Sequence, residues 1–215
     1  MILDSSSLWF AETNTWVLAN EAGGEAVVID APPDPDGVVE LLARHDLPCV
    51  ALVVTHGHID HFGGAGGVAR ATGAVTYVHP DDDYLTLNPI EQMRVLFGVV
   101  PAGDYRPPER RLDLADGDRL HLAGLSLDVR HTPGHTPGHC CFLLESEGWL
   151  FSGDQLFAGS IGRTDLPGGD YQTLMRSMTD RVLDLEDATR VLPGHGPETT
   201  VGRERRSNPF ILGLA

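Results

Sequence analysis

The stretch THGHIDH, residues 55 to 61, places four potential metal ligands within six positions: His56, His58, Asp60 and His61. It directly follows the apolar run VALVV, and an apolar run that ends in polar residues predicts a buried strand with the ligands at its end. Imidazoles two residues apart can converge on one cation, while the neighbouring carboxylate and third imidazole point at a second. A His-rich surface loop is the alternative, but four such side chains this close together favour a metal site.

Three later segments each offer another potential ligand after a strand-like apolar run. These segments are HTPGHTPGH (131–139), FSGDQLF (151–157) and LPGHGPE (192–198), which follow LSLDVR, EGWLFS and RVL. Because all four ligand-bearing segments follow predicted strands, one edge of a sheet could gather them.

The order HxHxDH, then a distant His, then Asp, then His resembles the metallo-β-lactamase superfamily of metallohydrolases, from Thr55 to Pro197. The small glyoxalase II-like branch is the most similar, because SIGRTDLPGGD (160–170) and GRERRSNPF (202–210) also resemble its members. The resemblance implies an α+β fold, the αββα four-layer sandwich, with two sheets packed face to face and helices outside.

The resemblance also implies a seven-residue ligand set for two divalent metal ions. It assigns His56, His58 and His135 to one metal, Asp60, His61 and His195 to the second, and Asp154 to both. A carboxylate suits the bridge because it has two oxygens and its charge offsets two dications. The nitrogen and oxygen set suits zinc, iron or manganese, with zinc as our first expectation. Some zinc β-lactamases of the superfamily carry Cys at the bridging position, so Asp154 points away from antibiotic hydrolysis.

The remaining polar residues of these motifs have weaker assignments. We interpret His131 as a supporting or strand-end residue and His139 as a structural histidine. Thr55 and Thr136 adjoin ligands and are expected to hydrogen-bond around them. His195 lies between two glycines that permit a tight turn. His45, His79 and His121 fall in ordinary helix, strand and loop contexts, and we expect no site role for them.

Length and composition predict one domain over residues 1–215 with one sizeable core. No run approaches the roughly 20 apolar residues of a membrane span, and the start MILDSSSLWFAETNTW lacks a signal-peptide pattern, so we expect a cytoplasmic location. The three cysteines are odd in number and two are adjacent, which predicts buried thiols rather than disulfides.

The net charge of −16 argues against nucleic-acid binding, a function that other members of the superfamily have. All 15 basic residues are arginine, so Schiff-base chemistry is excluded and anions must be bound by Arg, backbone N–H groups or the metal. Arg163 could bind a substrate carboxylate or pair with Asp165. Arg203 could help to hold an anionic thiol carrier, or lie with Arg205 and Arg206 on a solvated helix face.

Two metals can hold a bridging water and lower its pKa from about 15.7 to about 7. One metal can also polarise a carbonyl. A thiolate with a pKa of about 8.5 leaves without obligatory protonation, so the expected reaction is hydrolysis of a small-molecule acyl-thioester by a metal-bridging hydroxide. Asp60 and Asp154 are the expected catalytic residues, Asp60 as an orienting group. The resemblance implies S-2-hydroxyacylglutathione or a related thiol conjugate.

Two departures leave the thiol carrier and the acyl group open. Longer glyoxalase II enzymes carry a C-terminal helical extension and use lysines around the carrier, whereas this chain ends at Ala215 and has no lysine. A persulfide dioxygenase with one iron on His56, His135 and Asp154 is the alternative on the same fold. A non-catalytic metal-binding or scaffolding protein is disfavoured because no ligand position is missing. The oligomeric state cannot be predicted.

Strands are predicted in two batches, before and after about residue 118, which fits two sheets. They are 15–20, 25–30, 50–55, 75–78, 119–122, 125–131, 139–145, 148–152 and 190–192. Helices are predicted near 35–45, 64–72, 89–98, 171–185 and 200–206. Pro35 suits a first helical turn. The loop-rich segment 99–118 is either a flexible lid or a connector.

Overall fold

The computed structural model describes residues 1–101 and 103–212. Its first sheet has six strands in chain order: β1 (Ile2–Leu8), β2 (Thr13–Ala19), β3 (Ala26–Ile29), β4 (Cys49–Val53), β5 (Val75–Val78) and β6 (Arg111–Asp113). The pairs from β1 to β3 are antiparallel, and those from β3 to β6 are parallel. The ligand-rich stretch therefore leaves from the carboxyl end of a strand inside this sheet.

The second sheet also has six strands. They are β7 (Arg119–Leu122), β8 (Leu125–His131), β9 (Cys140–Leu144), β10 (Trp149–Gly153) and, after the small hairpin of β11 (Leu156–Phe157) and β12 (Ser160–Ile161), β13 (Arg190–Pro193) and β14 (Thr199–Thr200). The spatial order is β7-β8-β9-β10-β13-β14, and only β10 and β13 pair parallel.

Seven α-helices connect and cover the strands in the described residues. They are α1 (Pro35–Ala43), α2 (Ile59–Phe62), α3 (Ala65–Thr72), α4 (Asp83–Thr86), α5 (Pro89–Phe97), α6 (Tyr171–Arg181) and α7 (Val201–Ser207). The caps follow local chemistry: the Asp34 side chain accepts the Gly37 N–H, and Pro35 occupies the first turn of α1 as predicted.

Alternation along the inner strands builds the layers. In β2, Trp16 and Leu18 face the second sheet, whereas Val17 and Ala19 face the helices on the other side. The central core joins side chains of both sheets, among them Leu18 and Phe142. Helices α1 and α3 cover the first sheet and α6 and α7 the second, which confirms the αββα sandwich.

The predicted strands all correspond to strands of the structure, but three kinds of element were missed. The half-exposed β1, the short β6, β11, β12 and β14, and the one-turn helices α2 and α4 are additions. Helix α6 ends four residues before the predicted end, because Val182 leaves the helical conformation with φ at −121°. The buried face formed by Leu174 and Met178 is as predicted.

Part of the segment 99–118 is tied to the sheet. Within it β6 pairs with β5, Leu114 is buried between the sheets, and Tyr105 packs against Ile59. These contacts favour the connector interpretation over a flexible lid for the described part of the segment. Residue 102, which belongs to the same segment, lies outside the described residues.

The cysteines are free and buried, as the sequence predicts. Burial raises the pKa of both Cys49 and Cys141 to about 12, so their thiols stay protonated near neutral pH. Over residues 1–101 and 103–212, no helix has the length and apolar character that crossing a bilayer requires.

Candidate metal centre

The four ligand-bearing loops meet at one edge of the sandwich. The loop after β4 and helix α2 carry the first four ligands, and the other three follow β8, β10 and β13. All seven residues named from the sequence lie together there, in three overlapping groups of three whose ligand atoms lie within 4.8 Å of one another. The bridging candidate Asp154 belongs to a group with His56 and His61.

Three imidazole nitrogens form the first cluster. His56 Nε2 lies 3.0 Å from His58 Nδ1, His58 Nδ1 lies 2.9 Å from His135 Nε2, and His135 Nε2 lies 3.1 Å from His56 Nε2. Zinc–nitrogen bonds of 2.0–2.1 Å in a tetrahedron place neighbouring ligand atoms about 3.3 Å apart. The triangle therefore has nearly the size of one face of a tetrahedral zinc site.

The second cluster joins Asp60, His61 and His195. Its atoms are slightly further apart: 3.2 Å between His61 Nε2 and His195 Nε2, and 3.3 Å between His195 Nε2 and Asp60 Oδ2. His61 Nε2 lies 3.6 Å from the same Asp60 oxygen. A second cation would therefore have two nitrogens and one carboxylate oxygen available, from the three residues named in the sequence analysis.

Asp154 faces both clusters with different oxygens. Its Oδ2 lies 3.5 Å from His135 Nε2, and its Oδ1 lies 3.4 Å from His61 Nε2 and 3.8 Å from His195 Nε2. Oδ1 is buried and has no hydrogen-bond partner among the described residues. A buried carboxylate oxygen without a partner is costly unless a cation binds it, so this atom fits a metal-bridging position.

Hydrogen bonds on the far side of the rings set which nitrogen faces each cluster. His135 Nδ1 donates to the Arg163 carbonyl at 2.7 Å, and His61 Nδ1 donates to Asp30 Oδ2 at 2.8 Å. His56 Nδ1 lies 3.1 Å from Thr55 Oγ1. A ring that donates from Nδ1 leaves the lone pair of Nε2 free for a metal, so these contacts prepare the rings as ligands.

The charge states of the two clusters differ. Burial lowers the pKa of His58 to about 3 and that of His135 to about 4, so the first cluster is neutral. Burial also opposes the charged form of His61, but Asp154, Asp60 and Asp30 outweigh it and raise its pKa to about 10. Burial favours protonated Asp60, yet neighbouring His61 and His195 hold its pKa below the usual range.

Two buried aspartates that the sequence analysis missed position the ligands. Asp30 accepts the Thr55 N–H at 2.7 Å and the Thr55 hydroxyl, in addition to His61. Asp82 is fully buried and accepts from Gly57 N–H, Thr136 Oγ1 and Gly138 N–H, each at 2.7 Å. Asp82 thus ties the loop after β4 to the loop after β8.

His139 also has a role that sequence analysis did not assign. Its Nε2 accepts the backbone N–H of Asp154 at 3.0 Å, and its Nδ1 lies 2.8 Å from Thr132 Oγ1. The ring is fully buried, and burial lowers its pKa, so it is neutral. It is a structural histidine, as the sequence analysis interpreted it, and it holds the backbone of Asp154, the bridging candidate. The hydrogen bonds of Thr55 and Thr136 are also as expected.

One of these three residues carried a readable signal. Asp30 directly follows the apolar run AVVI, in the same relation to a strand as the ligands themselves. Asp82 is the middle of three consecutive aspartates, 81 to 83, and its partners come from distant loops. Nothing local in the sequence separates it from its neighbours.

The turn around His195 is held closely. Thr13 forms a β-bridge with His195, and the Asn14 N–H donates to the Gly194 carbonyl at 2.7 Å. A Cβ on Gly194 would lie 2.5 Å from Asp154 Oδ1 and 2.6 Å from His61 Cε1. Gly194 is therefore required for the close approach of ligands, which agrees with the predicted tight turn.

A cavity of about 420 Å³ opens over the two clusters. The ligands His58, Asp60, His135, Asp154 and His195 line it, with Phe157, Ile161 and Arg163 among its other walls. The Arg163 guanidinium binds Asp165 with two contacts of 2.7 Å while lining the cavity, so both interpretations of Arg163 remain compatible. Arg203 is exposed on α7 and is not among the described residues that line the cavity.

A further group, His79, Asp81 and His131, lies away from this centre. The rings of His79 and His131 stack 4.2 Å apart at an interplanar angle of 5°, and His131 Nε2 donates to the Pro137 carbonyl at 2.8 Å. Stacked rings direct their lone pairs parallel rather than toward one ion. We therefore keep the interpretation of His131 as a supporting residue.

Comparison with known proteins gives the family. The family model for the metallo-β-lactamase superfamily matches residues 9–195, and the chain belongs to this superfamily of metal-dependent hydrolases. Hydroxyacylglutathione hydrolase GloC of Haemophilus influenzae is 37% identical over 186 residues, which cover 86% of this chain and 87% of GloC.

Solved structures agree with this assignment. BLEG-1, a B3 metallo-β-lactamase, has a TM-score of 0.89 and 35% identity, covering 99% of this chain and 100% of its own. TTHA1623 in a di-iron-bound form has a TM-score of 0.85 and 37% identity, covering 96% and 99%. ETHE1 from Myxococcus xanthus has a TM-score of 0.77 and 27% identity, covering 99% and 85%. Metal binding is thus a property of the family, and one of these neighbours holds two iron ions.

Proposed function

We propose that this protein hydrolyses an acyl-thioester to a carboxylic acid and a free thiol at a centre of two divalent metal ions. Zinc is the first expectation for both ions. The observation that carries the proposal is Asp154, whose unpaired buried Oδ1 and whose Oδ2 face two separate three-residue clusters. The similarity to hydroxyacylglutathione hydrolase GloC supports a thioester as the substrate class.

When bound, a pair of such ions supplies a water of lowered pKa and polarises the substrate carbonyl. Asp154 holds the two clusters at a fixed separation, and its backbone is fixed in turn by His139. Asp60, whose Oδ2 lies beside His195, can accept a hydrogen bond from the attacking water and orient its lone pair. The water oxygen joins the carbonyl carbon, the carbon–sulfur bond breaks, and the thiolate leaves with the electron pair.

The thiol carrier would occupy the cavity of about 420 Å³ over the two clusters, where Arg163 is the cationic side chain on the wall. Asp165 takes two of the five N–H donors of the Arg163 guanidinium, so three remain for a substrate carboxylate, and both residues are more than half exposed. Arg203 does not line the cavity, and we keep a substrate-binding role for it as a proposal. It would contact a thiol carrier that extends beyond the cavity toward α7.

A single-iron persulfide dioxygenase is the second candidate, because His56, His135 and Asp154 are neighbours and ETHE1 is a structural neighbour at 27% identity. The complete second cluster of Asp60, His61 and His195 favours the hydrolase. Metal analysis separates the two: two ions per chain support the hydrolase, and one iron supports the dioxygenase.

The test is thiol release from S-lactoylglutathione, measured with and without a chelator. Chelator-sensitive release is the expected result. No release after reloading with zinc, iron or manganese would refute hydrolysis of this thioester. Oxygen uptake with glutathione persulfide and hydrolysis of a β-lactam are the parallel assays, since neighbours include ETHE1 and a B3 metallo-β-lactamase.

A further inference from the structure

A second, smaller cavity of about 150 Å³ adjoins the metal centre. It lies between helices α4 and α5 and the loop at 166–167, with Leu85, Val95, Leu96, Leu166 and Pro167 among its walls. Its size is that of an apolar cavity known to hold a benzene-sized molecule. The cavity can therefore accept a group of about six carbons.

The buried amide on its wall has no hydrogen-bonding capacity left for a ligand. Gln92 Oε1 accepts the Ile59 N–H at 3.1 Å. Its Nε2 donates to the carbonyls of Gly57 and Leu85, both at 2.9 Å. Both hydrogens and the oxygen of this amide are thus engaged with backbone, and the face that it offers to the cavity binds no polar group.

Two other polar side chains of the cavity also donate to backbone carbonyls. The Tyr84 hydroxyl donates to the Pro167 carbonyl at 3.0 Å, and Asn88 Nδ2 donates to the Tyr84 carbonyl at 2.9 Å. Glu91 is exposed at the rim and pairs with Arg94 at 3.6 Å. The lining is therefore mostly carbon, which suits an apolar group, and it offers an anionic group no counterion because Glu91 is the charged side chain on it.

The two cavities adjoin beside the candidate metal centre. His58, Leu96 and Leu166 line both of them. A group in the small cavity therefore lies beside His58 of the first cluster, next to the larger cavity where the reacting carbonyl would be held. The larger cavity, with Arg163 and the carboxylates on its walls, is left for the polar thiol carrier.

We propose that the small cavity is the acyl pocket and that the preferred substrates carry an aliphatic acyl group of about four to six carbons. This inference rests on the proposed thioester hydrolysis, and it narrows the acyl group that the sequence left open. A lactoyl group would leave most of the cavity unfilled. Each methylene placed in the pocket should improve kcat/KM about fourfold until the pocket is full.

The first experiment measures kcat/KM for the S-acetyl, S-butanoyl, S-hexanoyl, S-octanoyl and S-lactoyl thioesters of glutathione by thiol release. The expected profile rises to hexanoyl and falls at octanoyl. Val95 lines the pocket from α5 and is 59% exposed, so Val95→Phe can fill the pocket without disturbing the core. This variant should lower the hexanoyl value about tenfold and move the optimum to butanoyl or acetyl.

Ile90→Phe is the matched control, because Ile90 lies on the same helix, is partly exposed at 38% and does not line the cavity. It should leave the chain-length profile unchanged. A flat profile, a preference for lactoyl, or an equal effect of the two variants would overturn the acyl-pocket inference.

Binding of the free acids hexanoate and lactate tests the acyl pocket without requiring thioester hydrolysis. Calorimetric titration of the metal-loaded protein should show tighter binding of hexanoate than of lactate, and Val95→Phe should remove the difference. If no thioester is cleaved but this difference is found, the proposed hydrolysis fails and the apolar pocket stands. Equal binding of hexanoate and lactate refutes the pocket whatever the activity.

Discussion

At the scale of single residues, His139 holds the bridging candidate by its backbone. The fully buried ring accepts the Asp154 N–H at 3.0 Å, and this N–H would have no partner in His139→Ala. We expect the substitution to cost about 2–3 kcal/mol of stability, because it leaves a buried donor unpaired and opens a cavity. Metal affinity should fall roughly 10–100-fold. Urea unfolding and metal content measure the two effects.

Substitution of another histidine controls for the loss of an imidazole. His121 is exposed on β7 and bonds Ser126, so His121→Ala should change neither quantity appreciably. His139→Gln can offer an oxygen near the position of Nε2 and should restore part of the metal affinity. Full metal occupancy with unchanged affinity in His139→Ala would contradict the positioning role.

Asp82 connects two ligand loops through three hydrogen bonds of 2.7 Å. Burial raises the pKa of this carboxyl, although its three donors favour the charged form. Asp82→Ala leaves two backbone N–H groups without this acceptor, so we expect a loss of about 3 kcal/mol and weaker binding at the first cluster. Surface Asp128→Ala, which breaks an exposed pair with Arg119, is the control. Similar unfolding midpoints for the two variants would refute the role.

At the scale of elements, the turn after β13 must bring His195 against its partners. Gly194→Ala would place a methyl group 2.5 Å from Asp154 Oδ1 and 2.6 Å from His61 Cε1. Since something must shift, we expect at least a tenfold loss of second-metal affinity and of activity, with little change in the core. Gly196→Ala is a different kind of control: its φ of +72° makes it strained, but no atom lies near its Cβ. Equal metal affinity in the Gly194→Ala protein and the unsubstituted protein would show that the turn can yield.

Sequence analysis predicted the strands in which buried and exposed side chains alternate, or in which nearly all side chains are buried. In β2 and β9 nearly every side chain is buried, and the apolar run reports that directly. Strand β1 was missed because its residues Asp4 to Ser7 are polar and it gains order by pairing with β2 along seven positions. Strand β6 is equally polar, and its place beside β5 depends on tertiary pairing that no local pattern encodes.

The ligands could be predicted because each follows a strand, whereas their supports could not. Asp30, Asp82 and His139 act through partners 15 to 56 residues away along the chain. Which of several neighbouring aspartates is buried depends on how α4 packs against the ligand loops. The seven-residue ligand set remains a prediction that metal analysis of variants tests, and the geometry supports it.

At the scale of the whole molecule, each candidate ligand cluster joins parts of both sheets. The first cluster takes two ligands from the loop after β4 and one from the loop after β8, and the second takes His195 from the loop after β13. Binding should therefore stabilise the sandwich as a unit, by an amount that grows with the free metal concentration over the Kd. We expect chelation to lower the thermal midpoint and zinc to restore it. An unchanged thermal midpoint in the metal-depleted protein would mean that metal binding does not stabilise the folded protein.

The two clusters should also bind metal with different pH dependence. In the metal-free protein the pKa values of His58 and His135 are lowered to about 3 and 4, so the first metal finds neutral ligands. The pKa of His61 is raised to about 10, so at pH 7 this ring holds a proton that the second metal must displace. Affinity at the second cluster should therefore rise about tenfold per pH unit between about pH 7 and 9, while the first cluster stays nearly constant.

Calorimetric zinc titrations in two buffers of different ionisation enthalpy count the released protons. The first equivalent should release almost none and the second at least one. Asp30→Asn removes one of the carboxylates that raise the pKa of His61, so it should reduce proton release at the second step. A proton lost by a water molecule between the two metals would be released equally in Asp30→Asn and in the unsubstituted protein. The difference in proton release between the two proteins therefore reports on His61. If proton release is the same in both, His61 is not the residue that holds the proton in the metal-free protein.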